Sequence, residues 1–204
     1  MHKVGIVALQ GAVGLHAEAL RALGAAPVEI RTPADLGGIE GLVIPGGEST
    51  TLSMLLVSSG LFDPIAELLA DGLPAFGTCA GMILLAADVI DGRPDQRSFG
   101  AIDVSVARNA FGRQVDSFET TLAVDGLAGA PFPAVFIRAP AVVRVGEGVE
   151  VLATVPTASG PTTSGPTASG PRPVLCRQGR VLVAAFHPEL SGDLRLHQHF
   201  LSST

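Results

Sequence analysis

The chain has 204 residues, a length that suits one α/β domain and falls short of two well-buried ones. Apolar residues make up 47%, enough for a proper core, while 13 basic against 19 acidic side chains give a formal charge of −6, so no nucleic-acid partner is expected. No run of about 18 uninterrupted apolar residues occurs, so no membrane span is expected. In chain order, Met1-His2-Lys3 runs straight into Val4-Gly5-Ile6-Val7, which lacks the charge, long apolar run and cleavage site of a signal peptide. Val4 to Leu9 reads as a first strand, and His16 to Leu23 as a helix closed by Gly24. Strands at Pro27 to Ile30 and Gly41 to Ile44 follow, then helices from about Thr50 to Leu56 and Pro64 to Leu69. Pro74 to Phe76 is a strand entering Gly77, with helix again from Gly81 to Ala87. This alternation predicts a mostly parallel sheet with helices on both faces, and an active site at the carboxyl ends of its strands. From Ala101 to Val155 the runs are strand-like, as antiparallel additions to that sheet would be.

Pro156 to Pro173 is different in kind, with three Pro-Thr-Ala/Thr-Ser-Gly units in tandem. Units without an apolar face cannot offset the entropy of ordering, so the spacing predicts a mobile loop between two strands of one domain spanning 1–204. Val174 to Cys176 resumes the core. Cys79 and Cys176 could form at most one bridge, and a reduced, cytoplasmic protein is expected.

Gly77-Thr78-Cys79-Ala80-Gly81 lies between a strand and a helix and has the form of a nucleophile elbow. A turn that sharp presses the residues two before and two after the nucleophile together, so both must be small. It also lifts the side chain out at a helix N-terminus, where thiolate is favoured. A structural cysteine beside tight-turn glycines is the competing reading. A nucleophile needs a base and the base an orienter. Val181 to Phe186 reads as a strand that delivers His187-Pro188-Glu189, and residues two apart in extended chain share a side. His187 is then the base and Glu189 its orienter, with Pro188 at the strand's last position. Pro45-Gly46-Gly47-Glu48-Ser49-Thr50 also joins a strand to a helix, and its glycine lets a backbone N–H approach a reacting carbonyl. The expected oxyanion donors are the N–H groups of Gly47 and Ala80. Ser49 or Thr50 is the expected cap of the following helix. His16, His197 and His199 fall in helical patterns and read as ordinary surface or core residues, and Cys176 as an inert core thiol. No His/Cys/Asp/Glu cluster has metal-ligand spacing, and neither metal nor cofactor is expected.

Several runs together resemble one family: Gln10-Gly11-Ala12-Val13, Pro45 to Thr51, Phe76 to Gly81, and Arg108-Asn109 with Phe111-Gly112-Arg113-Gln114. Asp116-Ser117-Phe118, Phe136-Ile137-Arg138-Ala139-Pro140 and Phe186 to Leu190 complete the set. The chain is similar, over nearly its whole length, to the glutaminase subunits of pyridoxal 5'-phosphate synthases, within the class I (triad) glutamine amidotransferases. The resemblance implies a flavodoxin-like fold, Cys79, His187 and Glu189 as a triad, and glutamine contacts from Gly47, Glu48, Ser49, Arg108, Ile137 and Arg138. It implies that ammonia passes to a synthase subunit that builds the cofactor. A glutaminase serving another synthase, and an elbow-cysteine stress or chaperone protein that is no amidotransferase, are the alternatives.

Overall fold

The computed structural model describes residues 2–108, 117–156 and 170–204. Strand β1 (Lys3–Val7) leads into helix α1 (Val13–Ala22), followed by β2 (Ala26–Ile30), β3 (Gly41–Ile44), α2 (Ser49–Ser58), α3 (Phe62–Ala70), β4 (Ala75–Thr78) and α4 (Ala80–Leu85). Then come β5 (Ala86–Val89), β6 (Ile102–Ala107), β7 (Ser117–Leu122), β8 (Phe132–Ile137), β9 (Ala141–Val145) and β10 (Glu150–Val155). Strands β11 (Arg172–Gln178) and β12 (Val181–Ala184) and helix α5 (Arg195–Leu201) close the chain.

The central sheet has seven strands in the order β10-β11-β12-β4-β3-β1-β2. Strands β1, β2, β3, β4 and β12 are parallel, while β10 and β11 join antiparallel. Every residue of β3, β4 and β12 is buried, as in strands covered on both faces. From β1 the chain steps outward to β2, whereas from β3 it steps the other way to β4. Right-handed crossovers therefore put α1 on one face and α2 with α3 on the other. Helix α5 shares the face of α1, where Phe76 of β4 packs against His16, His197 and Phe200. These three layers are the parallel sheet with helices on both faces that the alternation predicts, and the flavodoxin-like arrangement that the resemblance implies.

The departures have local causes. The helix expected through Ala87 stops at Leu85, because Ala86 pairs with Ile102 and opens β5. Only β10 and β11 extend the main sheet. Strands β5, β6 and β9 form a separate three-stranded sheet, and β7 pairs with β8 alone. The segment expected to be a loop to Pro173 ends earlier, since Arg172 and Pro173 lie in β11 opposite Val155 and Thr154. Pro173 donates no ladder bond and sits where the β10–β11 register shifts. The rest of that repeat, 157–169, and the motif residues Asn109, Phe111 to Gln114 and Asp116 lie outside the described residues. Among the described residues no single helix is long and apolar enough to cross a membrane.

One linkage matters for the site. Phe136 of β8 packs against Phe186 at 5.4 Å, and the His187 N–H donates to the Val135 carbonyl at 2.8 Å. The small β7–β8 sheet is thereby fixed over the carboxyl end of β12, and its last residues reach the cleft.

Candidate active site

Three successive strand ends, those of β3, β4 and β12, open onto one cleft of about 340 Å³. It is lined by Gly47, Glu48, Ser49, Cys79, Arg108, Ile137, Arg138, His187 and Glu189. All nine of those were picked out from the sequence. Ala80, the tenth, is buried directly behind Cys79 as the first residue of α4. Ala12, Ile83 and Leu190 complete the wall and were not anticipated as site residues.

The elbow is built by packing. Cys79 has φ 51° and ψ −104°, a strained backbone for a residue with a Cβ. A Cβ on Gly77 would stand 2.6 Å from the Gly81 backbone, and one on Gly81 would run into the Ile44 carbonyl. The turn closes only with glycine at both positions. Cys79 is left 7% exposed at the N-terminus of α4, with Sγ 3.9 Å from the Ile137 carbonyl. Gly46 closes the other side, where a Cβ would stand 2.5 Å from Cε1 of His187.

His187 and Glu189 meet by a different route from the one the sequence implies. The strand ends at Ala184, and Pro188–Leu190 is a 3-10 turn with Pro188 at its start. Proline suits that place because its missing N–H would be unsatisfied there anyway. The turn carries Glu189 back under the imidazole, whose Nδ1–H donates to Oε1 at 2.7 Å. Nε2 is then the ring nitrogen left to meet Cys79. Burial works against a charged imidazole, but hydrogen bonds and charge from Cys79 and Glu189 outweigh it and raise His187 to about 10. Burial also works against the Glu189 carboxylate. The hydrogen bond and charge of His187 prevail and hold it below the usual range.

Glu48, expected to face substrate, is the N-cap of α2, a place assigned from the sequence to Ser49 or Thr50. Its carboxylate accepts from the backbone N–H of Thr50 and Thr51, from the Thr51 hydroxyl, and from Arg108 Nη2 at 2.8 Å. Those four donors fill a carboxylate's lone pairs. Arg108 also donates to Gln96 Oε1 at 3.0 Å, and Gln96 Nε2 to Ser49 Oγ at 3.3 Å. Gln96 thus ties Arg108 to α2, and nothing in its Pro- and Asp-rich neighbourhood signals that. Arg138 is exposed at φ 43°, turned into the cleft mouth just past β8. Gln10 Oε1 accepts from the Glu48 N–H at 3.0 Å and crowds Gly47, whose φ is 154°.

Two further residues belong to this neighbourhood. His16 and His197, read from the sequence as ordinary helical residues, are fully buried, and His16 Nε2 lies 3.4 Å from Glu189 Oε2. Cys176 is fully buried in β11, and burial pushes its thiol up to about 12, as suits an inert core group. Among the described residues no group of three or more potential ligands could hold a metal.

The model of the SNO glutamine amidotransferase family matches residues 6–204. A protein of Frankia alni named pyridoxal 5'-phosphate synthase subunit PdxT is 54% identical over 199 residues, covering 98% of this chain and 93% of that one. Its namesake in Nocardia farcinica is 55% identical over 198 residues, 97% of this chain and 84% of the relative. A crystal structure described as a glutamine amidotransferase superposes with TM-score 0.85 at 46% identity, covering 98% and 97% of the two chains. PurLQS from Thermotoga maritima, at 16% identity and TM-score 0.66, shares the fold.

Proposed function

The chain belongs to the SNO glutamine amidotransferase family, and on that premise we propose that it hydrolyses L-glutamine to glutamate and ammonia for a pyridoxal 5'-phosphate synthase. Ammonia passes to the synthase subunit of that enzyme, in the cytoplasm, as a step of vitamin B6 biosynthesis. The 204 residues work as one glutaminase domain. The observation that carries this reading is the line Cys79–His187–Glu189 at the floor of a cleft of amino-acid size, in a chain more than half identical to proteins of that name.

In this reading Cys79 is the nucleophile, His187 the proton carrier and Glu189 its orienter. The Cys79 sulfur attacks the side-chain amide carbon as thiolate, forming the C–S bond and moving the carbonyl electrons onto oxygen. The N–H groups of Gly47 and Ala80 hold that oxyanion, the second with the help of the α4 N-terminus. As the intermediate collapses, the C–N bond breaks and His187 gives its proton to the leaving ammonia. Neutral His187 then takes a proton from water, whose oxygen attacks the thioester. A second collapse expels thiolate and releases glutamate. Glu189 keeps Nδ1 protonated throughout, so that Nε2 always faces the reacting atoms.

The amino-acid end of the substrate is held by Glu48, Ser49, Arg108, Ile137 and Arg138. Arg108 spends two donors on Glu48 and Gln96, which leaves others of its five for the α-carboxylate. The α-ammonium competes with Arg108 for Glu48 Oε1. Backbone groups at Ile137 and Gly47 position the side chain. No cofactor takes part in this half-reaction.

The deciding experiment is ammonia release from glutamine by the wild-type chain and Cys79→Ala, each assayed with the synthase subunit and followed through to pyridoxal 5'-phosphate. Cys79→Ala should lose essentially all release, whereas Cys176→Ala should stay within a few-fold. A tenth of the wild-type rate in Cys79→Ala would remove the nucleophile from the mechanism.

A further inference from the structure

We propose that His16, held in a single tautomer by His197, is a positioning residue that pins the second carboxylate oxygen of Glu189 and so fixes the ring of His187. The inference rests on the glutaminase reading of the cleft and extends its catalytic line two residues further into the core.

The Glu189 side chain is fully buried. Oε1 is committed to His187, while Oε2 has no hydrogen bond of good geometry. A buried ionised oxygen needs a donor nearby, and the group beside it is His16 Nε2 at 3.4 Å. His16 comes from α1, which packs against the 3-10 turn bearing Glu189, and its exposure is zero. It does not line the cleft. On its far side Nδ1 lies 2.9 Å from Nε2 of His197, on α5, which is equally buried. Both rings lie near Phe76, so their surroundings are apolar.

Proton accounting leaves one arrangement. Burial outweighs the pull of Glu189 and drives both histidines toward the neutral form, His197 down to about 3. A neutral ring carries one N–H. If His16 placed it on Nδ1, a lone pair on Nε2 would face the carboxylate, and His197 would be left with a buried N–H that has no acceptor. With the proton on Nε2, His16 presents a donor to Thr78 Oγ1 at 3.4 Å and, in a looser contact at the same distance, to Glu189 Oε2. Its Nδ1 then accepts from His197 Nε2–H. His197 Nδ1 is left as a bare acceptor, in keeping with the absence of any partner there. An orphan acceptor is the lesser penalty.

The consequence is mechanical. A carboxylate held at one oxygen can turn about its last torsion, which is intrinsically soft. Held at both oxygens, it fixes the plane in which His187 Nδ1–H must lie. The other charged groups near His187 stand on the cleft side, namely Cys79, Glu48, Arg108 and Arg138, and none of them reaches Oε2.

The test compares His16→Leu, which keeps apolar volume and loses the donor, with His16→Gln, whose amide can restore it. Each is assayed for glutamine hydrolysis with the synthase subunit across pH. His16→Leu should lower kcat by about 10- to 100-fold, the range seen for partners that orient the histidines of metal sites, with KM within two-fold of wild type. Its alkaline limb should move below that of wild type, because a loosened Glu189 no longer holds the His187 proton as firmly. His16→Gln should recover most of both. The pH profile of Cys79 carboxymethylation by iodoacetate, read in the same variants, needs no turnover and should show the same displacement. A wild-type kcat and limb in His16→Leu overturns the inference, and so does an equal loss in Leu and Gln variants with the limb unmoved, which is packing alone. If His16→Leu does not fold, His197→Leu replaces it, with a smaller shift in the same direction expected and a wild-type profile counting against the tautomer lock. Cys79→Ala runs alongside. Residual ammonia release there defeats the glutaminase reading, whereas a dead Cys79→Ala beside normal His16 variants defeats only this inference.

Discussion

Glu189 shows how little of a side chain's task is written in its neighbours. His187-Pro188-Glu189 is readable as a candidate base and orienter because only Pro188 separates the two, even though a 3-10 turn rather than an extended strand brings them together. His16, 181 residues from His197 along the chain, is not readable. It occupies an apolar helix face like any core residue, and only tertiary packing reveals what it touches. Glu48 misleads in the opposite sense, since Ser49 and Thr50 directly after it are the stronger caps on propensity, yet its longer carboxylate takes the N–H groups of Thr50 and Thr51. The roles proposed for the line order its mutants. Glu189→Gln should retain more activity than His187→Ala, because the orienter moves no proton itself. Steady-state ammonia release measures this, and the reverse order would exchange the roles. With His187 raised to about 10, release should hold through pH 9 and decline only as pH rises through that value. A decline centred near 6.5 would mean the imidazole is not paired.

At the level of elements, most strands of the parallel half are legible because they are short Val/Ile/Leu runs closed by glycine or proline, and β3 falls at the expected residues. Helix α4 ends early for a reason that no propensity contains. Leu85-Ala86-Ala87 favours helix locally, but backbone pairing of Ala86 with Ile102 offers more. The β10–β11 connection carries a prediction. Val155 and Arg172 are direct partners across the ladder, so the chain between them has only to join two adjacent strand ends. Two to five residues suffice for that. Replacing 157–169 with a short Asn-Gly turn should leave the melting temperature within a few degrees, as each halving of loop length is worth only about 0.6 kcal/mol. Calorimetry of the shortened chain checks it, and a fall of ten degrees or more would mean that the repeat contributes to the core.

For the whole molecule, the buried histidines set an acid limit and His187 an alkaline one. His16 and His197 have folded-state pKa values below their unfolded value, so the unfolded chain gains protons first as pH falls. The contribution of His197 is complete above about 6.5 and is lost toward about 3, at roughly 1.4 kcal/mol per pH unit for its proton, and that of His16 is lost in the same direction as pH falls below 6.5. His187 has the opposite sign. Its contribution is complete below 6.5 and lost as pH rises through about 10. The melting temperature should therefore peak near neutrality and fall from pH 6.5 to 5, and the acid slope should flatten in a His16→Leu/His197→Leu double variant. An unchanged slope would place the protons elsewhere. Partner control is the other prediction at this scale. The Gly46 carbonyl abuts Gly11, and Gln10 grips the Glu48 N–H, so a subunit docking on the Gln10 loop bears directly on the Gly46–Gly47 peptide. One oxyanion donor is worth about 100- to 1,000-fold, so the isolated chain should be a poor glutaminase that its synthase activates. Equal rates of ammonia release with and without excess synthase would exclude the gate. The β10–β11 ladder has a last consequence. Because β11 runs antiparallel to β12, with Leu175 opposite Ala184, its start at Arg172 lies at the same end of the sheet as the cleft. A second enzyme spliced between Val155 and Arg172 would be leashed at two points beside the mouth of the proposed glutaminase cleft. Its local concentration would be set by tether geometry, in the millimolar range, instead of by expression level. The fold thereby offers a covalent port for building a single-chain ammonia relay to an acceptor of choice.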